Sequence, residues 1–418
     1  MASDYRALLK NKAFLYLWAS QVLSQVTINA LNFLLLTRLF NITGSTIATS
    51  FLWISYALPA IVVGPVAAVF VDTLNRKKIL MVTNLLQSLT IFLYALSYKN
   101  SLFLLYGVVV MYSLFNQFYV PSEQSALPSL VGKKLLPEAN GLFFTTQQLS
   151  LIIGFGLSTP LASFLGFNVA LLVNAFFLFL AFISVCFLPN LGTKLSVRGI
   201  LEESIEEVFR KILKGYEYIK GNKYVLAPFI LLVGLQVLLT IMMVNIPIIT
   251  EQIFSVKMEL AGVFLILPAG IGAGIGTLLI PRFLKQNVRK IKVIMRSFSL
   301  LIGCLFLTSS LVPFLKQPFA IILGAVLLFI MGFSFIGIII PTQTFFQENT
   351  PLDFRGRVFG NYWFLVTVVS LLPVLFSGTI TELFGIKALL FLLTGILVLV
   401  VILIKKKGDY FLINTNEI

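Results

Sequence analysis

Four side-chain amides stand in the first apolar stretch of this sequence: Gln21, Gln25, Asn29 and Asn32. Their spacing of i, i+4, i+8 and i+11 puts them on one face of one helix. An amide turned toward hydrocarbon loses the hydrogen bonds that water gave it, so this face meets protein or water. Two readings fit. The face is the wall of a substrate cavity, or it is a seam of interhelical hydrogen bonds. Asn116, Gln148, Gln236, Asn245, Gln343 and Asn361 are amides of the same kind in other apolar stretches, and they join the candidates for a cavity lining. Full charges are nearly absent from the middle of every apolar stretch, where each costs about 2.5–3.5 kcal/mol on insertion scales. Glu123 and Glu348 come closest. Each reads as a member of a charge network with Arg355 or Arg357, or as the carrier of a proton.

Other chemistry is excluded by what is missing. Histidine is absent, so Ser-His-Asp and Cys-His catalysis and every His-ligated metal site are excluded. No GxxxxGK[ST] phosphate loop occurs, so no ATPase is expected. Cys186 and Cys304 both lie inside apolar runs, which argues against a disulfide framework. No cofactor, no metal and no enzymatic activity are expected. The net charge of +15 would suit nucleic acid, but the basic residues sit in short clusters between apolar segments, as topogenic signals do.

The elements that hold these residues are membrane spans. Apolar residues make up 58% of the 418, and charged residues only 11%, against about 25% in a soluble domain. Stretches long enough to cross a bilayer recur along nearly the whole chain. Twelve are expected, near 13–38, 46–72, 79–98, 102–126, 140–163, 168–188, 225–250, 259–281, 292–313, 318–344, 358–380 and 385–404. With an N-terminus on the cytoplasmic side, all but five of the 31 Lys and Arg fall on that side, the five being Arg38, Lys99, Lys257, Lys316 and Lys387. Adding or removing one span would spoil this bias, so it supports an even count with both termini cytoplasmic. The polar start MASDYRALLKNK runs straight into a long apolar segment with no small-residue cleavage site after it, so no cleavable signal peptide is expected.

The longest polar stretch, 189–224, divides the chain into an N-terminal bundle over 1–188 and a C-terminal bundle over 225–418. Within it Ile200, Leu201, Ile205, Val208, Phe209, Ile212, Leu213, Tyr216 and Ile219 recur at helical spacing. This is an amphipathic helix, lying on the membrane surface or solvated as a linker. The halves repeat each other weakly. Pro121-Ser122-Glu123-Gln124 and Pro341-Thr342-Gln343-Thr344 close the fourth and tenth spans, 220 residues apart. A duplicated architecture with a site between the halves is expected.

Three motifs carry a family resemblance. The first is Ala68-Val-Phe-Val-Asp72-Thr-Leu-Asn75-Arg76-Lys77-Lys78, where a carboxylate at a membrane edge precedes a tight turn and a basic cluster. Asn75 suits a turn position of positive φ, and Asp72 can stabilise the exposed N-terminus of a neighbouring helix. This segment resembles the loop signature Gly-x-x-x-Asp-x-x-Gly-Arg-[Arg/Lys] of the major facilitator superfamily, with Ala68 and Asn75 replacing the glycines. The others are Pro121-Ser-Glu123-Gln-Ser-Ala126-Leu127-Pro128-Ser-Leu130-Val131 and Pro351-Leu-Asp-Phe-Arg355-Gly356-Arg357-Val358. They resemble the hairpins of the macrolide-efflux-like and enterobactin-exporter-like branch. Two departures stand out. Thr27 and Ile28 occupy the place of a Gly-Asp pair in the first span. The fifth-span antiporter motif is reduced to Gly154, Ser158 and Ala162, small residues whose spacing lets helices approach closely.

The resemblance implies an all-α polytopic fold of twelve helices in two pseudo-symmetric six-helix bundles, with a gating loop at Asp72, Asn75, Arg76 and Lys77. It also implies a secondary transporter of the cytoplasmic membrane that exports a small amphiphilic or drug-like compound by alternating access. Its expected partners are that small molecule, the bilayer and a coupling ion such as the proton; nucleic acid is not among them, and a monomer is expected. An importer or facilitator of a neutral solute, and a non-transporting receptor or scaffold, stay open as alternatives.

Overall fold

The computed structural model describes residues 2–97, 101–191, 210, 213–214, 216–285, 289–350 and 352–406. Among them there is no strand. Among the described residues ten helices are long and apolar enough to cross a membrane. Two further passes complete the twelve: one is broken, and one is the second limb of a long helix. The chain is thus an all-α, multi-pass membrane protein.

Its helices run in chain order as α1 (Ala2–Lys10), α2 (Lys12–Thr43), α3 (Thr46–Val62), α4 (Gly64–Thr73), α5 (Arg76–Ser97), α6 (Leu102–Leu165) and α7 (Phe167–Cys186). They continue as α8 (Lys223–Val244), α9 (Ile246–Gln252), α10 (Leu267–Lys285), α11 (Lys290–Ser310), α12 (Phe319–Glu348), α13 (Leu352–Phe384) and α14 (Ile386–Lys406). The punctuation is local chemistry. Asn11 caps α2, its side chain accepting from the Phe14 amide, and Gly44 ends α2 in the left-handed region at φ 62°, where glycine is unstrained. The second pass breaks between α3 and α4, at Val63 before Gly64-Pro65. In α6 the helical course is interrupted at Gly132 (φ 71°, ψ 166°), so its limbs, 102–131 and 133–165, are separate passes.

The chain divides into two compact units, Met1–Gly44 with Leu52–Val208, and Ser45–Phe51 with Phe209–Ile418. In the first, α2 packs along α6, and α5 packs between α6 and α7. A core of Leu8, Phe14, Leu17, Leu80, Tyr119, Leu127, Val131, Val185 and Leu188 closes one end. In the second unit, α12 packs against α10 and α11. The α10–α12 approach is close because a Cβ at Gly272 or Gly332 would run into the backbone of Phe329 or Ala269. Ser45–Phe51 belongs to this second unit through a ladder of hydroxyls. Thr46, Thr49 and Ser50 donate to the carbonyls of Gly378, Val244 and Val374 at 2.9, 3.3 and 3.1 Å. The Glu382 carboxylate accepts from the Ser45 hydroxyl and, at 3.0 Å, from the Ile47 amide, so it caps the start of α3.

Most of the amphipathic segment expected over 200–219 lies outside the described residues. Its described end, Ile219, is buried in a cluster with Val225, Phe229, Leu232, Val233, Phe346 and Val366.

Candidate functional site

In the first unit the polar residues of α2 divide between two faces. On one, the Trp18 indole donates to the Thr146 hydroxyl at 2.9 Å, and the buried Gln21 amide donates to the Phe143 carbonyl at 3.0 Å. Both partners are on the second limb of α6. Farther along this face the Asn29 amide folds back to the Gln25 carbonyl at 2.8 Å. Gly154 stands against it: an added Cβ there would fall 2.5 Å from Asn29 Cβ. Gln21 and Asn29 therefore serve the contact between α2 and α6. Gln25 and Asn32 are half-buried. Farther along the second limb, Ser158 is buried and Ala162 half-buried.

The other face of α2 carries a buried polar chain that passes through three helices. Ser24 Oγ donates to Asn84 Oδ1 at 3.3 Å, and Asn84 Nδ2 donates to Ser20 Oγ at 3.0 Å. Ser20 Oγ lies 3.3 Å from the Tyr119 hydroxyl, which donates to the Glu123 carboxyl at 2.8 Å. Of these five residues the amino-acid pattern singled out only Glu123. Asn84 and Gln87 were discoverable by the same signal as Gln21: polar residues at helical spacing in an apolar span. Gln87 Nε2 donates to the Tyr112 carbonyl at 3.3 Å. Nearby, Asn116 Nδ2 donates to the Tyr56 hydroxyl at 3.2 Å.

The loop between α4 and α5 is tied to its own unit. Asn75 does not take the positive φ expected of it, which among the described non-glycine residues only Ser255 adopts; its Oδ1 instead accepts from the Lys78 amide at 3.4 Å, at the start of α5. Asn75 Nδ2 donates to Asn190 Oδ1, and Lys77 Nζ to the Leu188 carbonyl, both at 2.6 Å. Arg76 Nη1 donates to the Ser125 carbonyl at 3.1 Å, on the first limb of α6. The side chain of Asp72 lies outside the described residues.

In the second unit Asn245 is fully buried at the joint of α8 and α9. Its Nδ2 donates to the Ile241 carbonyl at 2.9 Å and to Ser377 Oγ at 3.1 Å, and its Oδ1 accepts from Thr381 at 3.0 Å. Three bonds enclose this amide and leave it to hold the joint with α13. Gln236 is half-buried and Gln343 exposed, as is Gln148 in the first unit. Glu348 pairs with Lys290. The side chains of Arg355, Arg357 and Asn361 lie outside the described residues. Among the described residues no group of three or more Cys, Asp or Glu is placed to hold a metal ion.

The sequence matches the profile described as Major Facilitator Superfamily over residues 17–373. It is 27% identical over 402 residues to the uncharacterized MFS-type transporter YfiS of Bacillus subtilis (strain 168), covering 95% of this chain and 93% of that one. It is 24% identical over 404 residues to macrolide efflux protein A of Streptococcus pyogenes, covering 94% of each. Among solved structures, the nucleoside transporter NupG superposes with a TM-score of 0.72 at 15% identity, over 94% of this chain and 98% of that one. A bacterial homologue of the iron transporter ferroportin, in its inward-facing state, superposes with a TM-score of 0.67 at 16% identity, over 96% and 98%. At these identities the structural likeness is one of fold.

Proposed function

Because the chain belongs to the Major Facilitator Superfamily, we propose that it is a secondary transporter exporting a small amphiphilic or drug-like compound across the cytoplasmic membrane by alternating access. The observation that carries the transport reading is the set of amides left partly open within apolar helices: Gln25, Asn32, Asn116, Gln148, Gln236 and Gln343. Facing hydrocarbon, each would forfeit hydrogen bonds worth several kcal/mol, about 4–8 on the most apolar reference. Facing an aqueous path, each keeps them and can bond a solute. The relation to macrolide efflux protein A supports the outward direction and the amphiphilic class. The basic clusters support an orientation with both termini cytoplasmic. The protein works as a monomer, without a cofactor and without chemical conversion of its substrate. The Asp72–Lys77 loop serves as its gate.

An importer or facilitator of a small neutral solute is the second reading, favoured by the absence of charge from those six amides. Purified protein in liposomes decides between them, with a labelled macrolide antibiotic and ethidium as probes. Protein-dependent flux of either probe, outward in the cellular sense, supports the exporter. No flux of these probes, together with uptake of a neutral nutrient, overturns it. No flux of any solute leaves the receptor or scaffold.

A further inference from the structure

Glu123 is a carboxylic acid inside the first limb of α6 with only 5% of its surface exposed. Its partner among the described residues is the Tyr119 hydroxyl. The packed elements carry these titratable groups. On the second limb of α6 Glu138 is half-buried, and the side chains of Lys133 and Lys134 lie outside the described residues. On α5 the Arg76 guanidinium turns to the Ser125 carbonyl and Ser129 hydroxyl, Lys77 donates to the Leu188 carbonyl and Lys78 is exposed. On α2 Lys12 and Arg38 stand near the two ends, and Tyr16 stacks on Phe187. On α7 the one ionisable group is Cys186. On α1 Arg6 and Lys10 are exposed. On α4 the Asp72 side chain lies outside the described residues. A structural role alone would be met by glutamine, without the several kcal/mol of desolvation that a buried carboxylate risks. Ionisable residues kept inside membrane spans mark ion and proton paths by default.

The hydrogen-bond chain behind Glu123 has a fixed direction. Ser24 donates to Asn84 Oδ1 and so sets the orientation of that amide. Asn84 then donates to Ser20 Oγ, which leaves the Ser20 proton free to point at the Tyr119 oxygen 3.3 Å away. Tyr119 in turn donates to Glu123. Every donor aims at the carboxyl. A neutral acid accepts this bond on its carbonyl oxygen, and a carboxylate accepts it more strongly. One rigid arrangement thus donates to the carboxyl in either charge state.

We propose that Glu123 is a proton-binding site, with Tyr119, Ser20, Asn84 and Ser24 as positioning residues that hold its carboxyl ready to take up and release a proton. The ligand is the proton itself. On release the O–H bond of the Glu123 carboxyl breaks, its electron pair stays on oxygen, and the proton passes to water; uptake is the reverse. As the coupling site of an exporter this rests on the transport reading above, but proton binding can be measured without transport.

The test is infrared pH-difference spectroscopy of the purified full chain in lipid vesicles, from about pH 4 to about pH 9, the range across which exposed and buried glutamates titrate. The expected result is a carboxylic C=O band that disappears reversibly as pH rises, is absent from Glu123→Gln and changes frequency in Tyr119→Phe. Should Glu123→Gln fail to fold, the frequency change in Glu123→Asp carries the assignment. A wild-type spectrum with no titrating band that depends on Glu123 or Tyr119 overturns the proposal. Absence of macrolide or ethidium flux alongside a titrating Glu123 band counts against the exporter reading and supports the proton site.

Discussion

A methyl group added at Gly154 tests whether α2 and the second limb of α6 pack as one seam. The new Cβ would stand 2.5 Å from Asn29 Cβ, 2.9 Å from Ala30 N and 3.0 Å from Val26 O. Two of these are backbone atoms and the third is a Cβ, so no rotamer change relieves the clash and the helices must part. Overpacking of this kind costs about 1–3 kcal/mol. Gly107, in the first limb of the same helix, is the control, because nothing lies within 4 Å of a Cβ there. Each Gly→Ala change also gains up to about 1 kcal/mol of helix propensity. That gain is common to both, so the difference between the variants isolates the packing cost. Gly154→Ala is expected to be less stable than Gly107→Ala by about 1–3 kcal/mol, or about 2–12 °C in melting temperature for a unit of this size. The reporter is a thiol-reactive fluorogenic dye reading Cys186, half-buried in the first unit, with the buried Cys304 of the second unit replaced by serine. Equal melting of the two variants would refute the seam and return Asn29 to the wall of a cavity.

Cysteines placed at Gln148 and Gln343, both exposed, should react with small aqueous thiol reagents, whereas one at the buried Gln21 should not; equal inertness at all three removes the aqueous path. Asn245→Ala leaves the Thr381 hydroxyl without its acceptor and should destabilise the second unit by about 1–3 kcal/mol, read as earlier labelling of Cys304 on heating; an unchanged transition shows that the joint does not depend on this amide. Asp72→Asn should lower transport while leaving folding and substrate binding nearly intact. A helix-end carboxylate contributes about 1–2 kcal/mol in a partly buried setting, which shifts two conformers about tenfold; unchanged transport removes the gating role. A reporter fused to the C-terminus should be active on the cytoplasmic side, and activity on the outer side alone refutes the even span count.

Much of the architecture is legible in the residue order because its physics is local. A span is a run of about 20 apolar residues, so hydropathy along the chain is enough to place the passes. The end of α2 at Gly44 is written in residue type, whereas the break before Gly64-Pro65 interrupts a span expected to run unbroken over 46–72. The amides of α2 announce a face that cannot meet lipid. Which neighbour each amide meets is decided by tertiary structure, since periodicity gives an angle around one helix and nothing about the next. Gln21 and Gln25 share that face, yet Gln21 reaches the Phe143 carbonyl 122 residues away and Gln25 stays partly open. Glu348 pairs with Lys290, a choice among many cations that sequence spacing leaves open. The capping of α3 by Glu382, 335 residues from Ile47, and the chain from Ser24 to Glu123 each join residues from separate helices. The residue order supplies the polar groups and the rule that each buried one needs a partner; the helix packing alone selects which partners those are.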